Sequence, residues 1–171
     1  AECLVGSEMC IRDRFLHYHK FIVIIEYVSF YNLQENSMLG EKAGTLTLKE
    51  TTKPIDSGKY GLPAMETHNV GSGTLVGHEV QGMATFTAEM RPDGSWKGHC
   101  PAGVIMCAGG VATFTCMGVG NMTETGGVMF HGGASFETTS EALSELNGKY
   151  YMFSYESDPE GNAEWNLYPC V

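Results

Sequence analysis

Residues 82–94, GMATFTAEMRPDG, and residues 110–122, GVATFTCMGVGNM, decide how the rest of the chain is read. In the first, Ala84, Phe86, Ala88 and Met90 alternate with Thr85, Thr87 and Glu89, a period of two that puts apolar side chains on one face of a strand. In the second, 28 residues on, Ala112, Phe114 and Cys116 alternate with Thr113 and Thr115 in the same way. The shared pentapeptides MATFT and VATFT read as equivalent hairpin strands, a repeat too short for a solenoid. The first strand runs into Arg91-Pro92-Asp93-Gly94, where proline presets the first corner of a turn and glycine accepts a positive φ.

Outward from these two strands the same punctuation recurs. Gly109-Gly110 and Gly126-Gly127 fit hairpin loops, and Asp158-Pro159-Glu160-Gly161-Asn162 fits a longer one. Apolar-alternating runs fall at 43–49, 65–70, 72–80, 82–90, 95–107, 110–121, 127–137, 149–157 and 162–168. Only Ser140 to Gly148 reads as helical, with Ser140 as cap, Ala142, Leu143 and Leu146 as its apolar side, and Asn147-Gly148 as its stop. Glycine supplies 21 of the 134 residues from Met38 onward, spread between apolar runs as short strands and tight turns require.

Eight or nine consecutive antiparallel strands with short loops close most economically into a barrel, which leaves no unpaired edge. The expected fold is therefore all-β: an antiparallel up-and-down barrel of about eight strands with one short helical turn, the alternative being a two-sheet sandwich. Glycines within strands, such as Gly118, Gly120, Gly132 and Gly133, suit the bends of closure. Strand parity places Phe86, Phe114, Phe130, Phe136, Tyr151, Phe153, Tyr155 and Trp165 inside, and Thr85, Thr113, His131, Glu137 and Glu156 outside.

The 37 residues before Met38 read differently. Residues 4–14, LVGSEMCIRDR, resemble a translated transposon sequencing adaptor, which would remove Cys3, Cys10, Arg12, Asp13 and Arg14 from any functional argument. From Phe15 to Ser37, residues with A/T-rich codons (Phe, Ile, Tyr, Asn, Lys) fill 12 of 23 positions, against 23 of 134 afterwards. Residues 1–37 are thus expected to be a non-native leader, adaptor plus read-through, and residues 38–171 a single barrel domain. The rival reading is a targeting segment at Phe21 to Ile25, opposed by Glu26 directly after it and by a run far short of the about 20 apolar residues of a span.

The stretch from Arg91 to Asn162, with its RPDG turn, its Gly118-Val119-Gly120 strand end, Phe136 to Ser140 ahead of Leu146-Asn147-Gly148, and its Tyr155-Glu156-Ser157-Asp158 hairpin, resembles a family of uncharacterised small prokaryotic β-barrel proteins. That family is in turn similar to allene oxide cyclase and lipocalin-like barrels. The resemblance covers about residues 70–165 and implies a barrel with a lumen. The matching pattern is structural and transfers no catalytic residue.

From Met38 onward 7 Lys and Arg face 15 Asp and Glu, a net charge of −8, so neither nucleic acid nor an anionic membrane is an expected partner. Cys100, Cys107 and Cys116 lack the spacing of structural zinc ligands, and no metal or cofactor is expected. Cys107 and Cys116 read as small buried hydrophobes. Without a signal peptide they are expected, with Cys100 and Cys170, as reduced thiols of a cytoplasmic protein. His99 and Cys100 point to opposite faces of a strand, so they do not form a base and nucleophile pair. His68 and His78, near Glu66 and Glu79, read as solvated strand residues. No P-loop, H-E-x-x-H or G-x-S-x-G motif is present.

Three functions remain open. A barrel of eight strands is wide enough to hold one small ligand, and its expected lining, Phe86, Phe114, Phe130, Phe136, Phe153 and Tyr155, would favour an apolar or aromatic guest. The alternatives are a cyclase-like or isomerase-like enzyme working in that lumen, and a filled barrel that serves only association, including self-association into a homo-oligomer.

Overall fold

The computed structural model describes residues 38–171. The readings made of residues 1–37 lie outside the described residues. Eight strands follow one another: β1 (Gly44–Ile55), β2 (Ala64–Leu75), β3 (His78–Met90), β4 (Trp96–Cys107), β5 (Gly110–Met122), β6 (Val128–Thr138), β7 (Tyr150–Ser157) and β8 (Asn162–Pro169). Each pairs antiparallel with its neighbours in sequence, and β8 returns to β1 through Gly44↔Leu167 to Lys49↔Asn162. The result is a closed up-and-down barrel in which each strand has a partner on both sides. Among the described residues no helix is long and apolar enough to cross a membrane.

The expected faces are the observed ones. Phe114, Phe130, Phe136, Tyr151, Phe153, Tyr155 and Trp165 are buried, and Phe86 packs against them half-buried. Thr85, Thr113, His131, Glu137 and Glu156 are exposed.

Four boundaries differ from the sequence reading. The runs at 65–70, 72–80 and 82–90 are two strands, not three, and the turn is Val76-Gly77, with φ of 45° and 81°. Gly71 and Gly73 look like a turn but lie inside β2; a Cβ on either would strike the β1 backbone at Thr47 or Thr45, so glycine there lets the two strands close up. The β4–β5 loop is Ala108-Gly109, and Gly110 already pairs with Cys107. β1 runs on to Ile55, paired with β2 alone beyond Lys49. Finally, the helical segment is a 3₁₀ helix, Glu141–Leu146, that Ser140 does not cap through its side chain. The Ser140 hydroxyl instead donates to Gly109 O at 3.1 Å.

That helix closes one end of the barrel. Leu143 and Leu146 are fully buried, and Phe136 meets Tyr151 edge-on with ring centroids 5.2 Å apart. Asn147 pins the helix to β6, accepting from Thr138 N at 3.0 Å and donating to Thr138 O at 2.8 Å. At the other end the turns match their residues. Asp93 Oδ1 accepts from Ser95 N at 3.0 Å, and Asp158 Oδ1 accepts from Asn162 N at 2.8 Å. The Trp96 indole is buried among the core side chains, and its N–H meets no acceptor among the described residues.

Candidate functional site: an apolar chamber in the lumen

One irregularity in the wall sets up the site. On β4, Cys100 faces Cys116 and Gly103 faces Phe114, so β4 advances three residues while β5 advances two. Against β3 the same excess appears between Thr85↔Ala102 and Thr87↔His99. β4 therefore carries one extra residue, a β-bulge at Pro101-Ala102, where a proline is tolerated because ladder bonding is already broken. The bulge switches parity along β4: Trp96, Gly98 and Cys100 face inward before it, Gly103 and Ile105 after it. It also leaves Phe86 without a partner on β4. The Phe86 ring turns into the lumen, edge-on to Tyr155 at 5.9 Å and Phe130 at 6.5 Å.

Behind the bulge lies a chamber of about 60 Å³. Phe86, Phe114, Phe130, Phe153 and Tyr155 line it, with Trp165 and Leu46. Of the six residues expected there, Phe136 alone stands back, stacked between Phe114 at 5.6 Å and Tyr151. Glycines make the room. A Cβ on Gly103 would run into the Phe114 ring, so this residue must be glycine for the ring to lie flat against β4. Gly98 and Gly118 serve Phe130 and Phe153 in the same way, each with an added Cβ only 3.1 Å from a ring carbon. The lining runs from buried Leu46 and Ile105 to Met83 and Met117, which flank the bulge on β3 and β5.

Polar groups that the sequence reading missed meet this chamber. Glu50 continues the inward parity of Leu46 and Leu48, and Asn69, buried on β2, faces it in register. The Tyr155 hydroxyl donates to Glu50 Oε2 at 2.5 Å. Burial pushes the Tyr155 phenol well above its ordinary value, the Glu50 charge adds to the rise, and a hydrogen bond from Asn69 opposes it. Asn69 and Tyr155 both line the chamber, giving an apolar space one polar edge.

The second missed feature is a sulfur pair. Cys100 and Cys116 face each other across β4 and β5, both line the chamber, and both are free thiols. Their thiols interact. The Cys116 thiol makes ionisation of Cys100 easier, whereas the neighbouring sulfur and burial push Cys116 far up. Cys100, at 2% exposed, is the most deeply buried of the four cysteines from Met38 onward, deeper than the two expected inside. His68, His78, His99 and His131 are exposed, and of the four only His99, beside the bulge, borders the chamber; His68 Nδ1 pairs with Thr85 Oγ1 at 3.1 Å on the outer wall. Among the described residues no three His, Cys, Asp or Glu gather as metal ligands.

No protein-family model matches the chain, and no curated protein matches it in sequence. Solved structures do match in shape. A conserved protein of unknown function from Rhodopseudomonas palustris aligns with a TM-score of 0.65 at 12% identity, over 78% of this chain and 98% of its own. A protein of unknown function from Clostridium acetobutylicum aligns at 0.63 and 16%, over 77% and 98%. A β-barrel-like protein from Acinetobacter baumannii aligns at 0.65 and 10%, over 78% and 95%. The likeness is one of fold. At these identities it carries the barrel and no residue of the chamber.

Proposed function

We propose that this protein is a binding module that takes a small, largely apolar guest into the barrel chamber, with one oxygen of the guest accepting from the Asn69 amide beside Tyr155. The observation that carries the reading is the composition of the chamber: six aromatic side chains and one hydrogen-bonding edge around one space in the lumen. Its size narrows the guest. Drug-sized ligands occupy pockets of roughly 300–1,000 Å³, and an engineered cavity of about 150 Å³ takes benzene. A chamber of about 60 Å³ therefore suits a short ketone, ester or alcohol better than the aromatic guest the lining alone would suggest.

The test is a titration, followed by NMR of the Leu46 and Ile105 methyls, with butanone and with an alkane of equal carbon number. Butanone should bind more tightly, by a factor of about 2 to 12 if one neutral hydrogen bond is made. Tyr155→Phe with Asn69→Leu should erase that preference. Equal weak shifts from both compounds in the unaltered protein would defeat the reading.

A second reading, an isomerase-like enzyme, is favoured by the Tyr155–Glu50 contact, because a phenol held by a carboxylate can relay a proton to a bound carbonyl. The resemblance to cyclase barrels points the same way. It predicts that the protein accelerates exchange of the α-protons of butanone in heavy water; a binding module leaves them at the buffer rate.

A further inference from the structure

We propose that Cys100 and Cys116 form a two-thiol redox site on the chamber wall, oxidised to a cross-strand disulfide by a short alkyl hydroperoxide that enters through the chamber. Register carries the first part of the argument. Directly opposed residues in an antiparallel pair have Cα atoms about 4.5–5.5 Å apart, within the roughly 4.4–6.8 Å that a disulfide spans. Both sulfur-bearing residues are inward and both line the same space. Position carries the second part. The pair lines the chamber immediately before the Pro101-Ala102 bulge, where the broken ladder lets the strands adjust.

The chemistry balances without further cofactors. The Cys100 thiolate attacks the terminal oxygen of the hydroperoxide, the O–O bond breaks, and the departing alkoxide takes up the Cys100 proton as an alcohol. Cys100 is left as a sulfenic acid. The Cys116 sulfur then attacks Cys100, the S–O bond breaks, and hydroxide leaves with the Cys116 proton as water. Two thiols have lost two electrons, and the hydroperoxide has gained them. The Cys116 interaction that eases ionisation of Cys100 assigns the nucleophile to Cys100 and the resolving role to Cys116. Among the described residues Cys107 and Cys170 have no such partner cysteine, and they serve as internal controls. The reading stands apart from the guest described above, since its readout is a covalent mark at two named residues.

The full chain, reduced and then given one equivalent of ethyl hydroperoxide, is digested without reductant and mapped by mass spectrometry. The expected product is a cross-link between the peptides carrying Cys100 and Cys116, two hydrogens lighter than the free pair, formed before Cys107 or Cys170 reacts and removed by dithiothreitol. Cys116→Ser should stop at a Cys100 sulfenic acid trapped by dimedone, and Cys100→Ser should leave Cys116 unmodified. Oxidation of Cys107 or Cys170 first, or of Cys100 without the cross-link, would overturn the proposal. Should either variant misfold, the map of the unaltered protein alone decides.

Discussion

Truncating two neighbouring phenylalanines separates a barrel with a chamber from one that is simply filled. Phe136 is 3% exposed, and its ring meets Phe114 at 5.6 Å, Tyr151 at 5.2 Å and Trp165 at 6.3 Å, away from the chamber. Phe114 is 6% exposed, meets Phe136 and, at 5.0 Å, Trp165, and has its remaining side on the chamber. Phe to Ala in a packed core costs about 3–5 kcal/mol, made up of lost transfer free energy and the cavity left behind. Phe136→Ala should lie at the upper end, about 5 kcal/mol, because it opens a new cavity and breaks three ring contacts. Phe114→Ala should lie near 3 kcal/mol, because atoms bordering empty space have fewer partners to lose and one fewer ring contact is broken. Urea melts followed by tryptophan fluorescence read the difference, provided the m-values agree. Thr113→Ala, on the outer wall, is the control and should shift stability by no more than about 0.5 kcal/mol. If Phe114→Ala costs as much as Phe136→Ala or more, the chamber is absent in solution. If Thr113→Ala proves severe, the assigned faces are wrong.

Further outcomes follow from single contacts. Gly103→Ala forces a Cβ into the Phe114 ring and should cost about 1–3 kcal/mol by overpacking, measured in the same melts, while reducing binding of butanone. The raised Tyr155 pKa means the folded state holds its phenol proton more tightly than the unfolded chain does. Its contribution is intact below about pH 10 and is lost as pH rises beyond, at up to about 1.4 kcal/mol per pH unit, so Tyr155→Phe should flatten the alkaline fall in stability seen by denaturant melts. A chain beginning at Met38 should unfold at the same urea midpoint as the full chain, because the barrel closes between Gly44 and Pro169; a lower midpoint would give residues 1–37 a structural role.

The barrel was legible because most of its wall obeys one rule. Wherever inward aromatics alternate with outward threonines, as from Ala112 to Thr115, parity alone settles which side faces the core. The turn at Val76-Gly77 escaped because valine rarely takes a positive φ, while Gly71-Ser72-Gly73 carried the composition of a turn without being one. The chamber was half legible. Its aromatics follow parity, but its polar edge depends on Glu50, which lies one residue past the end expected for its strand, and on Asn69, which lies beside the more conspicuous His68. The sulfur pair depends on register across two strands and on a bulge whose only sequence mark is Pro101. Pairing partners set by a bulge belong to the assembled sheet and leave no periodic trace in either strand.

The lumen holds an apolar chamber ringed by aromatics. A crystal of the protein pressurised with xenon tests it most directly, since xenon enters dry apolar cavities and reports its position as a density peak. One xenon site is expected within van der Waals distance of Phe86, Phe114, Phe153 and Trp165. A lumen without xenon, while sites on the outer wall fill, would show a barrel filled by its own side chains, with no chamber to bind a guest.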